Sequence, residues 1–212
     1  MKLIGSYTSP YVRKISVILL EKGIVFELVS AAPWAGDELV AAVNPLGKVP
    51  VLVNERGESF FDSPIIAQYL ELTYPEPRLL PAQPLDALRV RQIEALADGV
   101  TDATMAIVRE CRRSPDGQNE GVLLGQREKI RRGLDALERH ARDRQCLNTP
   151  ALTLADIAVA CTLGAINYRR IMPNWCVDRP ALVALVERLF SRASFARTTP
   201  PVAAALYTDE ML

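Results

Sequence analysis

The apolar and polar positions divide the chain into two parts with different patterns. In about the first 75 residues, apolar runs of strand length alternate with segments whose apolar residues recur every three to four positions, which is the period of a helix. Beyond that point only the helical period remains. The pattern therefore predicts a small α/β domain that is followed by an all-α domain.

The first part is predicted to contain a strand, a helix, a strand, a short connecting helix, two further strands and a closing helix. The first strand–helix–strand unit predicts a parallel strand pair, and the turn residues Asn54–Gly57 predict a hairpin. This is a thioredoxin-like order. The predicted elements are Lys2–Ser6, Pro10–Lys22, Val25–Val29, Asp37–Val43, Val51–Val53, Glu58–Phe61 and a helix that begins at Ser63-Pro64 and ends before Pro75.

A proline-rich segment joins the two parts. Four prolines lie in residues 74–84, so we place a linker at 76–84, between a first domain at 1–75 and an all-α domain at 85–212. The all-α domain begins with a long helix, in which we expect Gly99 to allow close packing. Its predicted helices are Leu85–Arg113, a second long helix around Leu123–Ala141, an apolar helix behind a capping box at Thr153 and Asp156, Asp178–Phe190 and a short piece at Ser194–Ala205.

Two helices of the first part begin at a serine followed by a proline. The earlier one is amphipathic, and Ser9 and Pro10 are a favoured N-cap and first helical residue. This start places a hydroxyl and free backbone N–H groups at the positive end of the helix dipole, where an anion such as a thiolate is stabilised. The alternative is that Ser9 only caps the helix. Ser63-Pro64 repeats the pattern, so we predict Ser63 as the second N-cap.

Composition and charge exclude several classes of protein. Apolar residues make up 49% of the 212 residues, which is typical of a globular chain. Lys plus Arg and Asp plus Glu balance at 25 each, and this balance argues against a nucleic-acid partner. No apolar run reaches the length of a membrane span, and residues 1–10 lack the apolar core of a signal peptide. We therefore expect a cytoplasmic protein with no membrane partner.

Cysteine and histidine usage argues against metal or disulfide chemistry. The four cysteines are far apart and form no C-x-x-C motif, so we expect free thiols rather than a zinc site or a disulfide framework. His140 is the single histidine and lies among charged residues on a predicted helix surface. One histidine without neighbouring acids is a poor metal ligand and a poor member of a catalytic triad. We therefore expect no metal cofactor.

The motifs and their order resemble those of the cytosolic glutathione transferases. Ser9-Pro10 is similar to the family's active-site helix start, and Asp62-Ser63 to its acid–serine pair. NPLGKVPVL resembles its segment before and through strand three, and TLADIAVA the capping-box helix of its C-terminal domain. The resemblance covers nearly the whole chain and is closest to bacterial serine-type members, near the theta, zeta and stringent-starvation-like groups. It implies a thioredoxin-like N-terminal domain and an all-α C-terminal bundle.

The resemblance also implies roles in binding glutathione. Val49-Pro50 would be a cis X-Pro turn at which the Val49 backbone pairs with the peptide ligand. Ser63 would bind the carboxylate of the γ-glutamyl end and Asp62 its ammonium group, directly or across a dimer interface. Lys48 would reach the glycyl carboxylate, or it is simply a solvated loop residue.

Three hydroxyl groups are candidates for the contact with the glutathione sulfur. Ser9 is favoured, because its oxygen can accept the N-cap hydrogen bond while its hydrogen points at the sulfur. Tyr7 is the rival, since tyrosine-type transferases use a phenol at the end of strand one, and Thr8 is a third possibility. A serine cannot form a mixed disulfide with glutathione, so cysteine-type chemistry is not expected here.

The resemblance implies glutathione as co-substrate and a small hydrophobic electrophile as second substrate, in a detoxification reaction. The second pocket would be lined by Tyr11, Trp34 and Met105. A homodimer is implied, with the helices at Ser63 and Leu85 meeting across a two-fold axis. Two alternatives stay open: a glutathione-dependent disulfide or peroxide reductase, and a non-catalytic binding or regulatory protein of the same fold.

Overall fold

The computed structural model describes residues 1–31 and 38–201. It has the expected fold class, a thioredoxin-like unit with a small mixed sheet followed by a helical unit. The elements, in chain order, are β1 Lys2–Ile4, α1 Pro10–Glu21, β2 Glu27–Val29, α2 Glu38–Val43, β3 Val51–Val53, β4 Ser59–Phe60, α3 Ser63–Thr73, α4 Pro84–Glu110, a 3₁₀ turn at Pro115–Gly117, α5 Glu120–Asp143, α6 Leu154–Arg169, α7 Pro180–Phe190 and α8 Ala193–Arg197.

The four strands form one sheet in the order β2-β1-β3-β4. β1 pairs with β2 in parallel and with β3 in antiparallel, so that Leu3 lies between Leu28 and Leu52. β4 continues the antiparallel pairing on the outer side of β3. The parallel pair, the hairpin and the bounds of β3 predicted from the sequence are confirmed, and the other three strands are each two residues shorter than predicted.

α1 is buried on both of its long sides. Val12, Ile15 and Leu19 have no exposed surface and form the predicted core side. The opposite side is buried as well, because α6 and α8 pack against it, and Arg13 and Lys14 retain only 6% and 1% of their surface. The amphipathic pattern therefore predicted one covered side correctly and missed the second.

α6 lies at the centre of the helical unit and packs against α1, α4 and α7. Almost every residue of this helix is buried, as its uniformly apolar sequence predicts. The capping box is confirmed: the Thr153 hydroxyl accepts from the Asp156 N–H, and the Asp156 carboxylate accepts from the Thr153 N–H at 2.8 Å. Within residues 1–31 and 38–201, no helix is both long and apolar enough to cross a bilayer.

The glycine that permits close helix packing is not the one that the sequence suggested. Gly99 is exposed within an unbroken α4, and a Cβ added there would meet no atom within 4 Å, so the expectation for Gly99 is wrong. The close approach occurs at Gly133 of α5, where an added Cβ would lie 2.3 Å from Cγ2 of the buried Val100. The absence of a side chain at Gly133 is what lets α5 lie so near α4.

We expect Gly133→Ala to lower the free energy of unfolding by about 1–3 kcal/mol, because the added methyl group forces Val100 and its neighbours to move. Gly125→Ala is the matched control in the same helix, since a Cβ at Gly125 would meet nothing within 4 Å. That control should raise stability by roughly 0.5–1 kcal/mol through helix propensity. Urea unfolding of both variants measures the difference, and equal effects would contradict the close approach.

Candidate active site

The turn between β1 and α1 contains the three candidate residues Tyr7, Thr8 and Ser9. The Ser9 N–H donates to the Ser6 carbonyl at 3.0 Å, and the Ser6 and Thr8 hydroxyl groups share a hydrogen bond of 2.7 Å. Tyr7 and Thr8 occupy the middle of this turn, and Tyr7, Thr8 and Ser9 are all half-buried. The three residues whose hydroxyl groups are candidates therefore lie in the turn at the N-terminal end of α1.

Ser9 is the N-cap that the sequence predicts. Its backbone is extended, its carbonyl accepts the first helical bond from Arg13, and Pro10 is the first helical residue. Its Oγ accepts from the Val12 N–H at 3.4 Å. A hydroxyl that accepts one hydrogen bond still has its own hydrogen to donate, so Ser9 can serve the helix and a ligand at the same time.

The segment before β3 lies beside this turn. The Val49–Pro50 peptide bond is cis, as the resemblance implies. A Cβ added to Gly5 would lie 2.5 Å from Val12 Cγ2 and 3.2 Å from Val49 Cβ, so the end of β1, the first turn of α1 and Val49 are in close contact. Gly5 has a φ of +142°, a backbone conformation that residues other than glycine rarely adopt.

Lys48 lies in a loop that the buried Asn44 organises. The Asn44 side chain donates to the Lys48 carbonyl at 2.8 Å and accepts from the Leu46 N–H at 3.0 Å. The Lys48 side chain is exposed. The loop therefore holds the Lys48 backbone in place and leaves its ammonium group in solvent.

The start of α3 differs by one residue from the predicted start. The Ile66 N–H donates to the Asp62 carbonyl, so Asp62 is the N-cap and Ser63 is the first helical residue, with Pro64 second. The prediction of Ser63 as N-cap is therefore wrong, and the Asp62 side chain makes no capping hydrogen bond. Asp62 is exposed and Ser63 is 2% exposed. The difference leaves the Ser63 N–H among the free donors at the positive end of α3.

One face of α4 lies against the first turn of α1. The Tyr11 hydroxyl donates to Asp102, and Met105 is buried one turn further along α4. Burial and the hydrogen bond to Asp102 raise the pKa of Tyr11 well above its ordinary value. Tyr11 and Met105, two of the residues named for a second pocket, thus lie near each other, while Trp34 lies outside the described residues.

A buried charge cluster connects α1 to the same face of α4. The Lys14 ammonium donates to Glu94 at 3.0 Å and to Asp98 at 2.6 Å. Burial raises the pKa of Asp98, the ammonium of Lys14 opposes that rise, and the charges of Asp102 and Asp62 add to it. A hydrogen bond from Arg91 on α4 to Gln68 on α3 places these two helices side by side.

Sequence reasoning missed the polar groups that join the two units at this site. Glu94, Asp98 and Asp102 recur every fourth residue on α4, a spacing that puts carboxylates on one helix face and that was available as a signal. Arg169 donates to the Thr8 carbonyl at 3.2 Å, and nothing local in the sequence indicates that contact. Within the described part of the chain, no group of three or more His, Cys, Asp or Glu residues could hold a metal ion.

Family models match both parts of the chain. A model described as "Glutathione S-transferase, N-terminal domain" matches residues 3–78, and one described as "Glutathione S-transferase, C-terminal domain" matches residues 100–193. The "Uncharacterized GST-like protein YibF" of Escherichia coli (strain K12) is 60% identical over 203 residues, which cover 96% of this chain and 100% of that protein.

Solved structures share the fold over almost the full length. A glutathione S-transferase from Methylobacterium radiotolerans in complex with glutathione sulfonate has a TM-score of 0.89 and 38% identity, and the match covers 100% of this chain and 99% of that one. One from Methylobacillus flagellatus with bound glutathione has a TM-score of 0.87 and 40% identity, over 94% and 99% of the two chains.

We expect Tyr11 to remain protonated where an ordinary tyrosine ionises, near pH 10. Wild-type protein and Tyr11→Phe should give the same rise in tyrosinate absorbance up to about pH 11. Asp102→Asn removes a negative charge that favours the neutral phenol, so the pKa of Tyr11 should fall and an additional tyrosine should begin to titrate. That additional rise should be missing in Asp102→Asn combined with Tyr11→Phe. Burial remains in Asp102→Asn, so a titration that coincides with wild type would show that burial and not Asp102 keeps the pKa of Tyr11 high.

Proposed function

The chain belongs to the glutathione S-transferase family, and from that premise we propose that it binds reduced glutathione and activates its thiol for attack on a small electrophile. The observation that carries the proposal is the position of the Ser9 hydroxyl. It lies at the positive end of α1, beside the Val49–Pro50 segment. Relatives that share at least 38% identity over nearly the whole chain have been crystallised with glutathione or glutathione sulfonate.

In the proposed complex, glutathione lies across the ends of three segments. The Val49 backbone pairs with the cysteinyl part of the tripeptide, and Lys48 reaches the glycyl carboxylate from its exposed loop position. Ser63 binds the γ-glutamyl carboxylate with its backbone N–H and hydroxyl, at the positive end of α3. The exposed Asp62 binds the γ-glutamyl ammonium group. Because α3 begins at Ser63 and not after it, the Ser63 N–H is one of the free donors at the start of the helix, which supports its contact with the carboxylate.

Ser9 is assigned to the sulfur. Its hydroxyl accepts from the Val12 N–H and donates to the sulfur, and a donated hydrogen bond favours the thiolate over the thiol. The pKa of the thiol therefore falls below its reference value near 8.5, and each unit raises the thiolate fraction near pH 7 about tenfold until it saturates. The proton leaves to water, and the thiolate forms a C–S bond with the electrophile, which either releases its leaving group as an anion to solvent or, if it is an activated alkene, takes up a proton from water. Tyr7, in the same turn, is the alternative donor.

We place the second substrate between the turn and α4. Tyr11 would supply a polar wall there because its hydroxyl is bonded to Asp102, and Met105, which is only 5% exposed, stays in the proposal on the resemblance. Trp34 stays in the proposal on the resemblance alone. A role in detoxification, a cytoplasmic location and the domain division at 1–75, 76–84 and 85–212 stay predictions.

A homodimer is part of the proposal. α3 and the start of α4 carry large apolar side chains that are unusually exposed for a monomer: Ile65 at 53%, Leu72 at 73% and Leu88 at 61%. A hydrogen bond from Arg91 to Gln68 holds the two helices side by side, so these side chains belong to adjoining surfaces. A second copy of the chain related by a two-fold axis would cover them.

Ser9→Ala tests the assignment of the sulfur contact. We expect kcat/KM with glutathione and a model electrophile to fall about tenfold or more, and its pH profile to move to higher pH, because the thiolate is less favoured. Loss of the cap also costs about 1 kcal/mol of stability. Asn119→Ala is the matched control, since it removes the N-cap bond to the Val122 N–H on α5, away from the site.

Tyr7→Phe separates the two candidate hydroxyl groups. Suppose that Ser9→Ala keeps the wild-type rate and pH profile, while Tyr7→Phe lowers the rate and shifts the profile to higher pH. The sulfur contact then belongs to Tyr7. Calorimetric titration with glutathione tests the binding step itself. If wild-type protein gave no binding heat at millimolar glutathione, the proposed enzyme would be replaced by a non-catalytic protein of this fold.

Leu72→Glu tests the dimer. A charge on this apolar surface should convert the dimer into a monomer, because a carboxylate is costly to bury in such an interface. Leu124→Glu is the matched control, since Leu124 is 55% exposed on α5 and lies outside that surface. Light scattering coupled to gel filtration gives the mass of each variant. A wild-type monomer, or equal behaviour of the two variants, would rule out the proposed interface.

A further inference from the structure

One face of α4 carries a positive charge two helical turns beyond its contact with Tyr11. Asp102 accepts the hydrogen bond from Tyr11, and Arg109 follows seven residues later, so the two lie nearly one above the other on the helix. At about 1.5 Å per residue, their backbones are roughly 10 Å apart along the helix axis. Side chains of a helix lean toward its N-terminal end, which brings the Arg109 side chain nearer to the level of Tyr11.

The charge of Arg109 acts on the Tyr11 hydroxyl. Burial, the hydrogen bond to Asp102 and the negative charges of Asp102 and Asp98 raise the pKa of Tyr11, and the positive charge of Arg109 opposes that rise. The guanidinium is therefore within electrostatic range of the phenol. Since Arg109 is exposed, its charge faces the solvent-accessible side of α4, next to the space in which we place the second substrate.

Arg109 differs from the other two arginines of α4 in having no partner. Arg89 is paired with Asp86, and Arg91 lies 3.7 Å from Glu94. The guanidinium of Arg109 forms no hydrogen bond or ion pair with any residue that the structure describes. Its five N–H donors and its charge are therefore available to a ligand.

An arginine at this position has two possible roles. Arg109 lies in the last turn of α4, where a positive charge stabilises the helix dipole without any ligand. A guanidinium can also donate two parallel hydrogen bonds to a carboxylate, a geometry that the helix dipole does not require. Asp102 repels anions at the other end of the same face. A molecule with one anionic end would therefore be oriented, with that end at Arg109 and the remainder toward the turn at Ser9.

We propose that Arg109 determines the specificity for the second substrate: it binds a carboxylate that the electrophile carries at the end remote from its reacting carbon. The inference rests on the proposed binding of glutathione at the turn and names the chemical class of the electrophile. The carboxylate stays ionised and forms no covalent bond. The sulfur forms its bond with the reacting carbon, and the leaving group departs to solvent as an anion. Because Arg109 contacts the substrate equally before and during the reaction, its effect falls mainly on KM.

The experiment compares two electrophiles that differ in charge. In 4-chloro-3,5-dinitrobenzoate a carboxylate lies opposite the reacting carbon, and 4-chloro-3,5-dinitrobenzamide has a neutral group of similar size there; glutathione displaces chloride from both. The measured quantity is the ratio of kcat/KM for the benzoate to kcat/KM for the benzamide. We expect Arg109→Gln to lower this ratio about tenfold, mainly through KM. Arg109→Lys keeps the charge but lacks the planar fork, so it should lower the ratio less. Added salt should lower the ratio in wild type and not in Arg109→Gln.

Arg139→Gln is the matched control. Arg139 is also exposed near the C-terminal end of a long helix, α5, and its side chain has no hydrogen bond or ion pair in the described part of the chain. The substitution therefore removes the same charge from a helix other than the one that meets the turn. We expect it to keep the wild-type ratio.

Equal ratios in wild type and Arg109→Gln, or equal losses in Arg109→Gln and Arg139→Gln, would overturn the inference alone, since turnover of the benzamide shows that the proposed function holds. If neither compound is turned over, calorimetric titration with the glutathione conjugates of both gives the corresponding ratio of Kd values. Wild-type protein that binds neither glutathione nor the two conjugates would overturn the proposed function and, with it, the inference.

Discussion

The buried ammonium of Lys14 is the constraint on which the rest of the molecule depends. Lys14 lies on α1 of the thioredoxin-like unit, and its partners Glu94 and Asp98 lie on α4 of the helical unit. Burial tends to lower the pKa of Lys14, but the two carboxylates outweigh it and hold the pKa above its ordinary value. Removing one partner of a buried ion pair costs about 3–5 kcal/mol, so this pairing disfavours arrangements of the two units in which Lys14 and the carboxylates do not meet.

The contact between α1 and α4 also determines what surrounds the candidate site. Because α4 is held against the first turns of α1, Asp102 meets the Tyr11 hydroxyl and Met105 is buried nearby. The end of α6 reaches the same turn through Arg169. The N-terminal unit supplies the ends of β1 and α1 and the cis Val49–Pro50 segment, and the helical unit supplies the charges around them. The site therefore belongs to the interface between the units and not to either one alone.

Local signals in the sequence predicted the elements well. The Ser9-Pro10 start, the stop at Gly23 and the Thr153–Asp156 capping box depend on residues a few positions apart, so the sequence contains all the information they require. The start of α3 shows where that reasoning fails. Ser63-Pro64 has the same sequence as Ser9-Pro10, but the N-cap of α3 is Asp62. Proline is tolerated at the first or the second position of a helix, so the Ser-Pro pair alone does not fix the residue at which the helix begins. Gly99 and Gly133 show that the prediction of helix packing has the same limit, since the presence of a glycine in a helix does not tell whether it faces another helix.

The sequence by itself determined the fold class, the order of the elements, the caps of α1 and α6, and the family, because each of these depends on short-range patterns and motif order. The three loops at Ser9, Val49-Pro50 and Asp62-Ser63 follow from that order, and the sheet places Val49 beside the first turn of α1. Only the tertiary structure decided which charges lie around them. No local pattern in the sequence indicates that Lys14 and Arg169 are buried; they are buried because helices distant in the chain cover them. The opening turn at Ser9 is thus a local structure whose electrostatic surroundings are set by contacts more than 80 residues away.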